Sequence, residues 1–599
     1  MSTCVAVILV VVTLVTTTAF IKSFARRTPI VRSLFTRNNA VAEGSAANYE
    51  YIKDGSFDNS CKAQIPLKIA VAGGGIGGTF TAYALQHKGF DVTLFEKASK
   101  FSRFGGPIQL ASNALSCVNA MSPELFDEIM TRFTFTGTRK CGIKDGIRNS
   151  WYSVFEAITN LAEWNDLPYT GVIDRPDLQE ILLTKIKEGT VINSMGVNKY
   201  TENKGTGPVM SLLSGVLLLS FFGTLSNTTE SLLSCMLTDG TVDLTFEDGS
   251  EAKGFDVVVG ADGIWSSIRA QMWNEPTAKP GTATYSGYTL FAAETIMDPT
   301  SSFFTNEGYF DAGYKVYIGP GKYFVTSDVG SGRIQWYAFL ALPPGSKARS
   351  SNVDFVKEQF AGWTDEIHAC LDNTPETIIE QRDLYDRRPS VFKSWSKGHV
   401  TMLGDAVHPM MPNLGQGGCQ AMEDGFVLAN LLCTVTDKSQ IKSTLQDYYS
   451  KRIVRSAIVQ GMSRASSDII ISAFSTPFKF SEFLKEGMSY KYLTMQSLST
   501  SYLQFFLPAI FYAQFGYLYS FAPSMFSKEK IKKYVKDSLT RNKAESDNIY
   551  AQLKEGYNTY FTAKTMQFMR YNINAKESSL IADAKDMRCR TVDDVCEIK

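Results

Sequence analysis

Histidine is almost missing from this chain. There are four in 599 residues (His87, His368, His399 and His408), and no two stand at a metal-ligand spacing, so no metal site is expected. Cysteine is sparse as well: the ten present form no C-x-x-C pair, which excludes a zinc module and a disulfide-held fold. Cys589 and Cys596 in the tail read as two thiols near each other by chance rather than as a redox pair. Net charge is missing too. Lys plus Arg and Asp plus Glu both number 60, which removes the global field that draws in nucleic acid, and no such partner is expected. Long apolar runs are absent: Val5–Val15 and Pro208–Gly223 both fall short of the ~20 apolar residues needed to cross a bilayer. No paired carboxylates and no nucleophile–base set stand out. Apolar and charged fractions of 44% and 20% are those of a globular protein, and the length calls for two domains plus extensions.

The first 45 residues read as targeting sequence. The short apolar run ends in Thr16-Thr17-Thr18-Ala19, small residues suited to a signal peptidase, before Phe20. Lys22, Arg26, Arg27, Arg32 and Arg37 follow, with many hydroxyls and no acid until Glu43, which is transit-peptide composition. A signal followed by a transit peptide, with Phe at the junction, resembles the bipartite presequence of complex plastids. A plain secretory signal with a basic linker is the alternative.

The fold proper begins near Pro66. Leu67–Ala72 reads as a strand, Gly73–Gly78 as a turn, Thr79–His87 as a helix ended by Gly89, and Asp91–Phe95 as a second strand reaching Glu96. In Gly73-Gly74-Gly75-Ile76-Gly77-Gly78, Gly73 permits the tight turn, Gly75 lets backbone approach a pyrophosphate, and Gly78 lets helix and strand pack. The helix start offers free N–H groups to phosphates, and Glu96 stands where a carboxylate accepts from ribose hydroxyls. Alone, this motif does not separate FAD from NAD.

Two later motifs do. Gly260-Ala261-Asp262-Gly263, continuing to Ser266 and Arg269, follows a strand predicted over Phe255–Val259. Gly404-Asp405-Ala406-Val407-His408-Pro409, then Pro412, Gly415, Gln416, Gly417 and Asp424, follows a strand at Val400–Leu403 and opens a helix over Gln416–Leu432. A carboxylate after a strand suits ribityl hydroxyls, and a glycine-rich helix start suits the flavin edge that gathers negative charge on reduction. Between the two, Tyr285–Leu342 is rich in aromatic and β-branched residues broken by glycines, as antiparallel strands are.

The three motifs in this order resemble the FAD monooxygenases that include the aromatic-ring hydroxylases. Within them, Gly105-Gly106-Pro107-Ile108-Gln109-Leu110, Gly171-Val172-Ile173-Asp174-Arg175-Pro176-Asp177-Leu178-Gln179, Tyr285-Ser286-Gly287-Tyr288-Thr289 and Gly415-Gln416-Gly417-Gly418-Cys419 resemble the zeaxanthin epoxidases. In the last motif, hydroxylases usually place Asn where Cys419 stands. The resemblance runs from about Lys68 to Leu432, and the aromatic tail is more loosely similar.

The resemblance implies an α/β fold: a discontinuous Rossmann-like FAD-binding domain with an inserted antiparallel β-sheet substrate domain and a C-terminal helical, aromatic-rich extension. The expected map is presequence 1–45, first FAD part 66–272 with an unusual apolar insertion at 205–236, and substrate sheet 281–393. The last FAD part is 395–465, a helical and membrane-docking region is 466–540, and a polar tail is 541–599. The insertion reads as a membrane-touching loop or as translated intron. The uncharged stretch Tyr492–Ser527, broken by Pro508 and Pro523 and followed by Lys528, Lys530, Lys532 and Lys533, reads equally as interfacial docking or as a helical pair packed on the enzyme.

By resemblance, Gly73, Gly75, Gly78 and Glu96 bind the ADP half of FAD, Arg175 contacts FAD from its helix, and Asp405 holds the flavin-side sugar chain. Asp262 belongs to a segment tied to both FAD and pyridine nucleotide, and Gly415 and Gly417 face the flavin. No catalytic side chain is certain; Pro412, Gly415, Gln416 and His408 are the flavin-proximal candidates, His408 more as packing than as proton carrier. Tyr288, Trp336 and Tyr337 are substrate-pocket candidates. The implied reaction is epoxidation of a xanthophyll β-ring by a flavin C4a-hydroperoxide: zeaxanthin to antheraxanthin and violaxanthin, or diatoxanthin to diadinoxanthin. Molecular oxygen is the co-substrate, NADPH or reduced ferredoxin the reductant, and the plastid membrane surface, peripheral to the thylakoid, the location. The loop Lys97–Phe104 lacks the Gly-Glu-Gly portion of the plant enzymes, and the residues after the aromatic stretch leave no room for their phosphopeptide-type domain. Two rivals stand beside this reading. One is a hydroxylase of the same fold acting on a phenol, quinone or polyketide. The other is a non-catalytic paralogue that binds flavin or carotenoid.

Overall fold

The computed structural model describes residues 60–101, 106–203, 240–277, 281–298, 310–319, 321–346, 351–475, 510–520 and 527–555, with 301, 303, 304, 508 and 522 besides. The expected presequence, the insertion at 205–236, Tyr492–Leu507 and both tail cysteines lie outside them.

The chain enters the fold on β1 (Lys68–Ala72), turns through the glycines into α1 (Ile76–Lys88) and returns on β2 (Asp91–Phe95). Ile69 to Ala72 are all buried, because β1 has a parallel neighbour on each side and helices over its faces. β3 (Lys140–Asp145) and β4 (Trp151–Val154) follow, then α2 (Arg175–Lys185), β5 (Val191–Ile192) and β6 (Val257–Gly260). The predicted Phe255–Val259 strand is two: Glu251–Phe255 pairs antiparallel with Val242–Phe246, and β6 starts after Asp256. The break belongs to Asp256, whose carboxylate accepts from the Lys68 N–H at 2.9 Å and pairs with Lys438.

An antiparallel run comes next: β7 (Thr284–Ile296), β8 (Ala312–Gly319), β9 (Lys322–Gly330), β10 (Arg333–Leu340) and β11 (Glu380–Asp386). The chain then rejoins the first sheet through β12 (Ser396–Lys397) and β13 (Val400–Met402) and continues into α3 (Gly417–Leu432), α4 (Ile441–Ser475) and, later, α5 (Lys528–Glu555). The first sheet has the order β12-β13-β6-β1-β2-β5; the second is β11-β7-β10-β9-β8-β3-β4. β13 lies parallel to β6 although more than a hundred residues separate them, so one sheet is built from both sides of the other. β3 and β4, inside the range expected for the first FAD part, extend the second sheet instead, β3 lying parallel to β8.

Each face of the second sheet has its own use. Ile334, Trp336, Ala338 and Leu340 of β10 join Phe324, Phe360 and Trp363 in a separate buried cluster under the helices Asn352–Gln359 and Asp365–Asp372. The opposite face is free to wall a cavity. The helical segment 510–519 packs on the rest of the fold: Asn160 Nδ2 donates to the Tyr512 hydroxyl at 2.7 Å, and the Tyr519 and Thr170 hydroxyls share a hydrogen bond at 2.9 Å. α5 is tied to Phe133 and Thr134 through Ser538 and Asn542. In the described part of the aromatic stretch the packed arrangement is therefore what is seen. No helix among the described residues is long and apolar enough to cross a membrane.

Candidate active site

Where β1 ends, the chain must reverse into α1 within a few residues. A Cβ on Gly78 would lie 1.9 Å from the Gly73 carbonyl oxygen, so that position holds only glycine. A Cβ on Gly75 would meet nothing within 4 Å: the space beside it is left for something other than protein. Gly75 is also the N-cap of α1 and brings no side chain to cap it, and the first turn carries no acid. Free N–H groups and the positive helix end thus face open space. Two side chains brace the turn. Glu96 accepts from the Gly74 N–H at 2.6 Å and the Ala98 N–H at 2.7 Å, and Gln179 of α2 donates to the Gly74 carbonyl at 2.9 Å.

A second helix start faces the same space. α3 begins at Gly417 with no side-chain cap and no acid in its first turn, and Asp405 Oδ1 would lie 3.8 Å from a Cβ there. Asp405 is open to the cavity but ringed by protein. That desolvation raises its pKa, against the opposing pull of His408 and Arg175. Beneath it lies a buried ionic lattice. Asp424 accepts from the Gly404 N–H at 2.9 Å, from His408 Nε2 at 2.7 Å and from Arg452 Nε at 2.6 Å. Glu423 accepts from Arg452 at 2.7 Å and from two nitrogens of Arg455 at 2.6 Å each. Burial alone would raise the Glu423 pKa; Arg455 and Arg452 outweigh it and hold it at about 2. Asn113 joins the lattice to Gln416, and Arg455 also donates to the Leu518 carbonyl at 2.9 Å, so one lattice fixes α3, α4 and the 510–519 segment.

Both helix starts open on one cavity of about 1920 Å³. Gly75, Arg175, Asp405, Pro412, Gly415 and Gly417 line one region of it. Leu290, Val316, Tyr323, Val325 and Phe339 of the second sheet, with Phe155, line another, and Phe511 and Phe515 close over them. Phe155 and Phe511 pack with ring centroids 4.0 Å apart, and Tyr323 stacks on Phe339 at 4.1 Å. Charged residues, among them Arg132, Asp177, Arg333 and Arg541, line a third region.

A model of the FAD binding domain matches residues 241–464, and one of an NAD(P)-binding Rossmann-like domain matches 71–108. A chloroplastic zeaxanthin epoxidase of Prunus armeniaca is 37% identical over 415 residues, 67% of this chain and 55% of the relative. One of Solanum lycopersicum is 35% identical over 440 residues, 71% and 58% of the two. Over these matched residues the chain is similar to FAD-dependent monooxygenases. It spans little more than half the length of these curated relatives. Among solved structures, Klebsiella pneumoniae HpxO complexed with FAD and uric acid aligns with a TM-score of 0.55 at 20% identity, over 79% of this chain and 97% of that one. A salicylate hydroxylase substrate complex aligns at 0.52 and 18%, over 80% and 98%. At such identities these two show the fold.

The residues present fit an FAD. The unfilled space at Gly75 suits a pyrophosphate, and the uncapped start of α3 beside Asp405 suits the flavin end. The monooxygenase motifs nevertheless place several side chains elsewhere. Asp262 lies between cavity-lining Ala261 and Gly263, but its Oδ2 accepts from the Ser267 and Ile268 N–H groups at the start of the helix Ser267–Trp273, which Ser266 caps. Gln416 and His408 do not line the cavity; both side chains are buried in the ionic lattice. Glu96 braces the glycine turn and lies off the cavity wall. Of the pocket candidates only Tyr337 lines the cavity. Trp336 is its neighbour on one strand and so points to the other face, where its indole N–H donates to Thr374 at 2.9 Å. Tyr288 is buried behind Tyr323. Sequence reasoning missed Arg452 and Arg455, although they fall in register with buried Leu445, Tyr448 and Val459 along α4. Two arginines on the apolar stripe of a helix were the available signal.

Proposed function

We propose that this chain epoxidises the β-ring of a xanthophyll, with zeaxanthin and diatoxanthin as the two leading substrates. The observation that carries the reading is the junction of the glycine cradle with a chamber walled by Leu290, Val316, Val325 and a set of aromatic rings. A long, apolar, ring-ended substrate suits such walls. Reduced FAD, when bound, would supply activated oxygen to an electron-rich alkene, so no protein nucleophile is required.

The chain's own residues have three tasks. Gly75 and the α1 start would bind the diphosphate, while Asp405 and the α3 start would fix the flavin end. Tyr323, Tyr337 and Phe339 would hold the ring alkene in place. Phe511 and Phe515 would keep water from the reacting atoms, where it would divert reductant into peroxide. NADPH or reduced ferredoxin is the proposed donor. A plastid location, peripheral to the thylakoid, is supported by the basic presequence and by the chloroplastic relatives.

The test supplies the FAD-loaded chain with zeaxanthin or diatoxanthin in plastid-lipid micelles, under heavy-isotope dioxygen, with either donor. Mass spectrometry of the pigment should show one heavy oxygen gained per ring. Peroxide without labelled pigment would transfer the reading to a phenol- or quinone-type substrate. Failure of either donor to reduce the flavin would favour a non-catalytic paralogue.

A further inference from the structure

Helical spacing places Phe511, Gln514 and Phe515 on one face of the 510–519 segment, and all three line the cavity. Two are aromatic, as the chamber requires. The third is a primary amide, 5% exposed. Its Nε2 donates to the Ser466 hydroxyl at 3.1 Å, and Ser466 also lines the cavity. Its Oε1 is buried and accepts from no group among the described residues. A buried carbonyl without a donor is destabilising, and Leu or Met would fill similar volume without that cost. The arrangement is stable once a ligand brings the missing donor. Exchanging the amide nitrogen and oxygen leaves the same demand, because a hydroxyl both donates and accepts.

We propose that Gln514 accepts a hydrogen bond from a ring hydroxyl of the substrate and thereby selects hydroxylated β-rings over the bare hydrocarbon. This rests on the xanthophyll reading of the chamber. On such a molecule the hydroxyl is the polar group available, and an amide set beside Phe511 and Phe515 offers it a partner. A site that hydrogen-bonds a substrate hydroxyl discriminates far more sharply than an apolar pocket sensing an added methylene. Gln514 is thus a specificity-determining residue, with Ser466 holding its amide in orientation.

The experiment compares the FAD-loaded wild-type chain with Gln514→Met and Ser466→Ala on three pigments in the same micelles. Zeaxanthin carries a hydroxyl on both rings, β-cryptoxanthin on one and β-carotene on neither. Binding is read by quenching of flavin fluorescence, turnover by pigment mass spectrometry. In Gln514→Met, zeaxanthin binding and kcat/KM should fall by roughly 10- to 100-fold, while β-carotene binding stays within about twofold. On β-cryptoxanthin the wild type should oxidise the hydroxylated ring, and the variant should lose that preference. Ser466→Ala should give a smaller change in the same direction, and it serves alone if the methionine variant does not fold. Equal weakening of all three pigments would make Gln514 a mere wall residue and overturn the proposal. So would an unchanged zeaxanthin-to-carotene ratio. If the wild type binds no pigment at all, the xanthophyll reading falls and this one with it.

Discussion

Gly75 and Gly78 are three residues apart and forbid side chains for different reasons. At Gly78 the obstacle is the protein itself, the Gly73 carbonyl at 1.9 Å from any Cβ. Gly78→Ala should therefore destabilise the apoprotein by about 3 kcal/mol, seen as a lower melting temperature before any cofactor is added. At Gly75 no protein atom is in the way. Gly75→Ala should melt within about 0.5 kcal/mol of wild type, yet bind FAD at least roughly tenfold more weakly in a fluorescence titration. Wild-type affinity in that variant would show that the diphosphate does not pass there. Residue identity made these glycines and Asp405 legible as cavity-lining positions, because a glycine turn and a carboxylate directly after a strand are local features. For Asp262, Gln416 and His408 the motif gave position but not direction. Asp262 turns to a helix start, His408 to Asp424 within the same motif, and Gln416 to Asn113, 303 positions away, a separation that leaves no local trace.

Strand alternation decides what β10 contributes. Its residues 335, 337 and 339 face the chamber, and 334, 336, 338 and 340 face the second core. Along β10 the pleat sends Trp336 and Tyr337 to opposite faces, so only one of the two reaches the chamber. Trp336→Ala should cost ~3–5 kcal/mol of stability, read as a shifted urea midpoint, with the surviving folded fraction keeping its KM. Tyr337→Ala should do the reverse, raising KM severalfold with little loss of stability. Equal effects in both variants would contradict the assignment of faces. Of the elements, the βαβ unit, the antiparallel run and α3 were legible from periodicity and turn residues. The participation of β3 and β4 in the second sheet was not, since hydrophobic pattern states that a strand is buried without naming its neighbour.

Acid stability tests the molecule as a whole. Glu423 is held at about 2, where a free glutamate titrates near 4.5. Its folded pKa lies below its unfolded one, so its contribution is complete above about pH 5 and is lost as the pH falls from 4.5 towards 2. On the order of 3 kcal/mol is involved. Glu366, which burial would raise but Lys315, Tyr317, Asn149 and Lys144 hold at about 2, adds a second loss in the same window. Urea midpoints followed from pH 6 to pH 3 should therefore drop steeply in wild type. Glu423→Gln should flatten part of that slope while lowering stability at neutral pH, because two buried arginines lose a carboxylate. A slope identical to wild type would show that the lattice is not what acid breaks.

Arg455 reaches past Glu423 to the Leu518 carbonyl, and that reach sets an order of construction. Along the sequence the glycine cradle precedes the 510–519 wall. The cradle and the Arg455–Glu423 pair involve no residue of that wall, which completes the chamber on one side. A chain caught before that wall docks would hold the proposed FAD cradle without Phe511 and Phe515 over it. Docking of the aromatic helix onto a preset arginine is then the step that closes the chamber.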